Sequence, residues 1–274
     1  MTGKQIFLDK PERVMAVPGS AVFNDVGSVS GNGKKPAIVE IAGRDSIAAA
    51  VKSVRTDGFT DLLPVYAYTG TEYGPWAAVE TAVARLRKIL PDVRIYPLMI
   101  VGSPGFWRAL NGRFISELIQ RFGFFSPCPG CHLYLHAVRI PLAMHFGGIP
   151  IIAGERESHS GVLKINQSPS ALDFYREFAA RFDAELKFPL RYIDSGKEIE
   201  ELLNIPWQRG EDQLQCVLSG NYRGMDENIT VTASDISNFF EKFAGKAAEQ
   251  IVQSYIAGDE PDHNAAARSV LRRI

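Results

Sequence analysis

No apolar run in the chain approaches the roughly 20 residues that cross a bilayer, and the opening ten residues, MTGKQIFLDK, lack the apolar centre of a signal peptide. Both absences point to a cytoplasmic location and no membrane partner. A surplus of either charge is missing too. Lys and Arg total 30 and Asp and Glu 31, for a net charge of −1. That excludes a chain-wide electrostatic grip on nucleic acid and leaves only a local basic face. Internal repeats and low-complexity tracts are absent. A Walker A loop is excluded as well: Gly33-Lys34 is followed by Lys35 instead of Ser or Thr, and Ser28 stands where the first Gly is required. Cysteine is scarce, three in 274 residues. In a reducing compartment so few thiols are candidates for metal binding or catalysis, not for a disulfide framework.

What is present suits one large α/β domain with a helical addition. Residues 1–35 read as an N-terminal extension with short strands at Gln5 to Leu8 and Ala21 to Val29. Residues 36–224 read as a ligand-binding domain and 225–274 as a helical region. Strands are expected at Ala37 to Ile41, Leu62 to Tyr68, Val93 to Val101, Ile149 to Ala153 and Phe188 to Tyr192. Each is a short apolar run of the buried-strand type. Helices are expected at Ile47 to Val54, Trp76 to Leu90, Phe114 to Phe122, Ser170 to Phe182 and Ser195 to Leu203. A further one opens near Phe124 and breaks at Pro141, one or two cover Asp235 to Ile256, and the last spans Asn264 to Ile274. Strands alternating with helices imply a parallel sheet with helices on both faces. Ligands of such sheets sit beyond the carboxyl ends of the strands. Gly43 to Ser46, Thr69-Gly70, Gly102-Ser103 and Gly154 fall there.

The stretch AIVEIAGRDSIAAAVKSV, Ala37 to Val54, reads as strand, tight turn and helix. Asp45 and Ser46 are capping types, and a helix start beyond a strand end presents free N–H groups and the positive end of the helix dipole, a site for phosphate. Ile41-Ala42-Gly43-Arg44-Asp45-Ser46 resembles the Ser-Gly-Gly-x-Asp-Ser/Thr loop of the PP-loop ATP pyrophosphatases. Gly43, Asp45 and Ser46 match, while Ile41 replaces Ser and Ala42 replaces the first Gly. The resemblance implies a PP-loop (HUP-like) fold, ATP with Mg2+, and nucleotide contacts at Ala42, Gly43, Arg44, Asp45, Ser46, Tyr68 and Gly154, Asp45 orienting metal or loop.

Cys128 and Cys131 form a Cys-Pro-Gly-Cys pair, and Cys216 lies far beyond. Such thiols suit an iron–sulfur cluster, a closed zinc site with His132, a redox dithiol, or plain buried cysteine. A PP-loop followed by this arrangement resembles the tRNA 2-thiolation branch of the family over residues 36–220. The resemblance implies a [4Fe-4S] cluster on Cys128, Cys131 and Cys216, zinc being the alternative. It implies adenylation of a carbonyl-bearing acceptor, RNA among the candidates, followed by sulfur transfer from a donor at a site that includes Cys216. A homodimer is also compatible. The segment Gly154 to His159 lacks the family's Asp, and no cysteines remain for the zinc knuckles that bind tRNA. Two other functions stay open: an amide-forming ligase with structural zinc, and a nucleotide-binding module without turnover.

Other residues attract attention. His132 and His136 stand one helical turn apart and would share a metal, though without the Glu of a zinc-protease helix. His145 is expected to pack. Glu155, Arg156, Glu157 and His159 read as a solvated loop at a strand end, with Arg156 suited to clamping phosphate. Arg139, Lys164 and Arg223 read as surface residues available to an acceptor.

Overall fold

The computed structural model describes residue 29 and residues 33–207, 210–226 and 228–274. The expected strands at Gln5 to Leu8 and Ala21 to Val29 lie outside the described residues, apart from Val29, which is buried and in no strand. Five parallel strands form the path β4-β2-β1-β6-β7: β1 (Pro36–Glu40), β2 (Asp61–Tyr68), β4 (Arg94–Ile95), β6 (Ile151–Ile152) and β7 (Leu186–Lys187). A sixth strand, β5 (Met99–Gly102), also pairs with β2 in parallel. A separate antiparallel pair joins β3 (Glu72–Tyr73) to β8 (Gln215–Cys216).

Alternation along the central strands assigns their side chains to two cores. Ile38, Leu63, Val65 and Ala67 face one, while Ala37, Val39, Leu62 and Tyr66 face the other. All are buried, and each aliphatic side chain so covered contributes about 1.5–3 kcal/mol. The second face is covered by α1 (Arg44–Asp57), α2 (Ala77–Ile89) and α8 (Gly196–Leu203). The first is covered by α3 (Pro104–Asn111), α5 (Pro127–Ala137), α6 (Ile140–His145) and α7 (Pro169–Ala180). The C-terminal helices α9 (Ala233–Phe239), α10 (Gly245–Ala257) and α11 (His263–Leu271) pack into that same core, so the helical region is not a detached appendage. Helix α4 (Ile115–Phe122) contributes Leu118 to it. The protein is thus an α/β fold with a parallel sheet, helices on both faces and a helical C-terminal region.

Three expected strands differ in the structure: Ile149 to Ala153 narrows to Ile151–Ile152, and proline explains the other two. Pro97 interrupts Val93 to Val101. It has no N–H for the ladder, so the run divides into β4 and β5, each on β2. The expected strand at Phe188 to Tyr192 is displaced upstream to Leu186–Lys187, because Pro189 begins tight turns closed by Arg191 N to Phe188 O and Ile193 N to Leu190 O. Helix α3 was not expected, although Ser103 caps it and Pro104 occupies its first position, a recognised start signal. Among the described residues no helix is long and apolar enough to cross a membrane.

Strand order decides where a ligand would sit. The chain leaves β1 for β2 on one side and returns to β6 on the other. The carboxyl end of β1 is therefore the switch point of the sheet, where such folds open a crevice. Gly43 follows β1, and Gly154 follows β6.

Candidate functional site

The loop after β1 is held by its own serine. Ser46 Oγ accepts from Ala42 N at 3.0 Å and Gly43 N at 3.1 Å and donates to Gly43 O at 2.7 Å. Gly43 has an extended backbone, and its missing side chain matters because of crowding: a Cβ there would lie 2.3 Å from Gln213 Oε1. Gly154 approaches from β6 so closely that its Cβ would lie 2.5 Å from Ser46 N, a backbone contact only glycine permits. Ala42, Gly43, Ser46 and Gly154 are thus brought together.

The charged members of the loop point elsewhere. Arg44 is buried, with its guanidinium on Asp45, on Trp207 O at 3.4 Å and on Glu200 at 3.5 Å. Asp45 receives Arg156 Nε at 2.9 Å as well. Arg156 in turn donates to Ile193 O and Asp194 O and is only 2 % exposed, so it fastens the loop to the segment before α8 and is not available to clamp a phosphate. Tyr68 closes β2, its carbonyl accepting from Tyr134 Oη at 2.8 Å, and burial raises its hydroxyl pKa.

The three cysteines converge. Cys128 and Cys131 start α5, Cys216 lies on β8, and all three line one cavity of about 110 Å3 with Thr71, Trp107, His132, Lys164 and Asn166. Ser126 caps α5 and accepts from Cys128 N, which fixes the first turn. Pairing of Glu72 with Cys216 brings in the distant strand. All three thiols are free and half-buried. Cys131 Sγ accepts from Trp107 Nε1 at 3.3 Å, and Cys216 Sγ lies 3.3 Å from Thr71 Oγ1 and accepts from Leu218 N. Loss of water pushes the Cys128 and Cys131 thiols up, and Cys216 beside them adds to the rise. Low-pKa redox thiols need an electropositive setting, and here burial outweighs the pull of Lys164 on Cys128.

A hydrogen-bonded chain joins cavity and loop. Asp45 holds Arg156, whose Nη2 donates to His159 Nδ1 at 2.8 Å. His159 Nε2 therefore carries its proton and donates to Gln167 Oε1, and Gln167 Nε2 donates to Glu155 Oε2. Glu155 Oε1 accepts from His132 Nδ1 at 2.8 Å, and His132 Nε2 meets Asn166 Nδ2 at 2.8 Å in the cavity wall. Burial lowers the His159 pKa to about 4. Burial alone would raise that of Glu155, but the His132 and His136 imidazoles hold it well below the usual carboxylate range. A second connection runs through the chain itself. Gln213, against Gly43, is three residues from Cys216, a reach of at most about 11 Å.

No family model matches the sequence. The uncharacterized protein MJ0009 of Methanocaldococcus jannaschii is 40% identical to it over 227 residues, 81% of this chain and 82% of that protein. The chain belongs to the MJ0009 family. A solved structure, a predicted subunit of tRNA methyltransferase from the same organism, superposes with a TM-score of 0.36 at 14% identity, covering 65% of this chain and 82% of that one.

Several residues of this MJ0009-family chain are placed differently from their reading as sequence. Glu155, Arg156 and His159 are buried at 3 %, 2 % and 4 % exposure, not a solvated loop. Arg139 is buried too, donating to Val65 O at 3.2 Å and facing Glu40 at 3.3 Å, so it offers nothing to an acceptor. His145 is exposed against the edge of Phe146 instead of packing. Gln167, Asn166 and Gln213 gave no local signal of their role, and Glu155 gave only its place at a strand end.

Proposed function

We propose that the MJ0009-family chain is an ATP-dependent adenylating sulfur transferase. The observation that carries this reading is the meeting of Cys128, Cys131 and Cys216, from two distant segments, in one small cavity that is wired to the loop at the switch point of the sheet. The donor set fits an iron–sulfur cluster. The three thiols share one half-buried cavity, where a metal ion would displace their protons. Their spacing also favours a cluster over one zinc ion. A tetrahedral zinc with bonds of about 2.3 Å holds its thiolates about 3.8 Å apart. Among the described residues, His132, His136 and Glu155 have ligand atoms all within 4.8 Å of one another, and the three sulfurs do not. A [4Fe-4S] cluster on these cysteines would supply an open iron position for binding sulfur.

The chain's own residues would do the rest. The N–H groups of Arg44, Asp45 and Ser46 in the first turn of α1 receive the terminal phosphates of ATP, whose charge Mg2+ would neutralise, while Ala42 N and Gly43 N stay on Ser46 Oγ and shape the loop. Gln213 lies across Gly43 and has to swing aside when phosphate enters. A carbonyl oxygen of the acceptor attacks the α-phosphorus and pyrophosphate leaves. Sulfur then adds at the activated carbon and AMP departs with the former carbonyl oxygen. Asp45 keeps the loop in register by holding Arg156. Lys164, in the cavity wall, faces the entering acceptor, for which RNA is the first class to test. The blocked loop and the Ile41 and Ala42 replacements favour one rival, a nucleotide-binding module without turnover.

The two readings separate in one assay. Anaerobic protein is given ATP, sulfide and an RNA fraction. Sulfur transfer predicts pyrophosphate and sulfur-labelled RNA in equal amounts, with the sulfur label lost in Cys216→Ser. ATP binding with no pyrophosphate from any RNA fraction would favour the binding module and refute the transferase.

A further inference from the structure

His132 and His136 are one turn apart on α5, so their rings project from the same face. Glu155, just past β6, meets both: its Oε1 is 2.8 Å from His132 Nδ1 and 3.5 Å from His136 Nε2. A zinc-type ion with nitrogen and oxygen bonds of about 2.0–2.1 Å in tetrahedral array sets its ligand atoms about 3.3 Å apart, and these two separations bracket that value. The surroundings match what metal-bound histidines require of their second nitrogen. His136 Nδ1 points to Glu40 Oε2 at 3.6 Å, and His132 Nε2 meets Asn166. Gln167 holds the other oxygen of Glu155.

One residue is unexplained by hydrogen bonding alone. His136 is 1 % exposed, and neither of its ring nitrogens makes a hydrogen bond. It lies between the rings of Tyr175 and Phe188, at 5.0 and 5.6 Å. A buried imidazole with two idle nitrogens, one aimed at a carboxylate that a second histidine already binds, is arranged as a ligand.

We propose that His132 Nδ1, His136 Nε2 and Glu155 Oε1 form a site for one divalent transition-metal ion, separate from the three cysteines. Two imidazoles and a carboxylate suit zinc, cobalt or ferrous iron and leave at least one coordination position open. On binding, the His132 proton moves from Nδ1 to Nε2, and the Asn166 amide turns over to accept it through Oδ1. His132 lines the cysteine cavity, which gives the ion its way in.

The site does not depend on the sulfur-transfer reading, and its test removes the thiols. The full chain carrying Cys128→Ser, Cys131→Ser and Cys216→Ser is titrated with Co2+ alone. The expected result is one cobalt per chain, with weak visible bands and no sulfur-to-cobalt charge transfer. Adding His132→Gln, a partly exposed change, lowers the affinity by at least about tenfold, and Asn166→Ala by about tenfold. No cobalt bound, or binding undiminished by His132→Gln, overturns the proposal. If the triple variant does not fold, wild-type chain saturated with Zn2+ is read by histidine ring NMR. The His132 and His136 resonances must then shift together, and unshifted resonances overturn the proposal equally.

Discussion

Acid should loosen this protein through His159 before it reaches the carboxylates. The ring is 4 % exposed and wedged between Arg156 Nη2 and Gln167 Oε1. Burial, with Lys164 and Arg156 nearby, lowers its pKa from 6.5 to about 4. Above pH 6.5 the ring is neutral in folded and unfolded chains alike and pH has no hold on it. Between pH 6.5 and 4 the unfolded chain takes up the proton and the folded one does not, so stability falls as pH falls. A drop of about 2.5 units at 1.36 kcal/mol per unit amounts to about 3 kcal/mol. Urea unfolding at intervals from pH 7.5 to 4 measures it. His263 is also lowered by burial and adds to the raw slope, so the comparison is with His159→Gln. The variant should start less stable at pH 7.5 and lose about 3 kcal/mol less on the way to pH 4. Parallel stability curves would refute the claim that this ring is kept neutral by its surroundings.

Gly154→Ala forces a methyl group against the Ser46 backbone. It should cost about 1–3 kcal/mol in urea unfolding and weaken MgATP binding by calorimetry. Glu40→Ala strands buried Arg139 without its partner and should cost about 3–5 kcal/mol, whereas an unchanged midpoint would mean the pair is not buried in solution. Gln213→Ala uncovers Gly43 and should tighten MgATP severalfold; weaker binding would show that the glutamine is a ligand and not an obstruction.

The fold was readable where local rules agree. The buried run of β1 and the alternation of strands and helices pointed one way, and the structure follows them; the start of α1 is earlier than expected, with Gly43 at the N-cap and Asp45 and Ser46 inside the first turn. Proline obscured β4, β5 and β7, since apolar runs looked continuous across residues that cannot join a ladder. The cysteines were visible because thiols are rare in this chain and spaced as a pair. The network behind them was not. Charged residues are usually exposed, so Glu155 and Arg156 looked like a loop facing water. What buries them is pairing across the chain: Arg156 finds Asp45 111 residues away and His132 finds Glu155 23 residues away. Spacing along the sequence carries no trace of such partners. Gln213 was silent for the same reason, an ordinary glutamine made important by the glycine it touches.

The central claim is that Cys128, Cys131 and Cys216 act as a single ligand set. Iron and acid-labile sulfide, measured per chain in protein purified without air, test it most directly. About four of each in the wild type, with both lost in Cys216→Ser, is the predicted result. A colourless wild-type protein without iron, or iron retained when Cys216 is replaced, would contradict it.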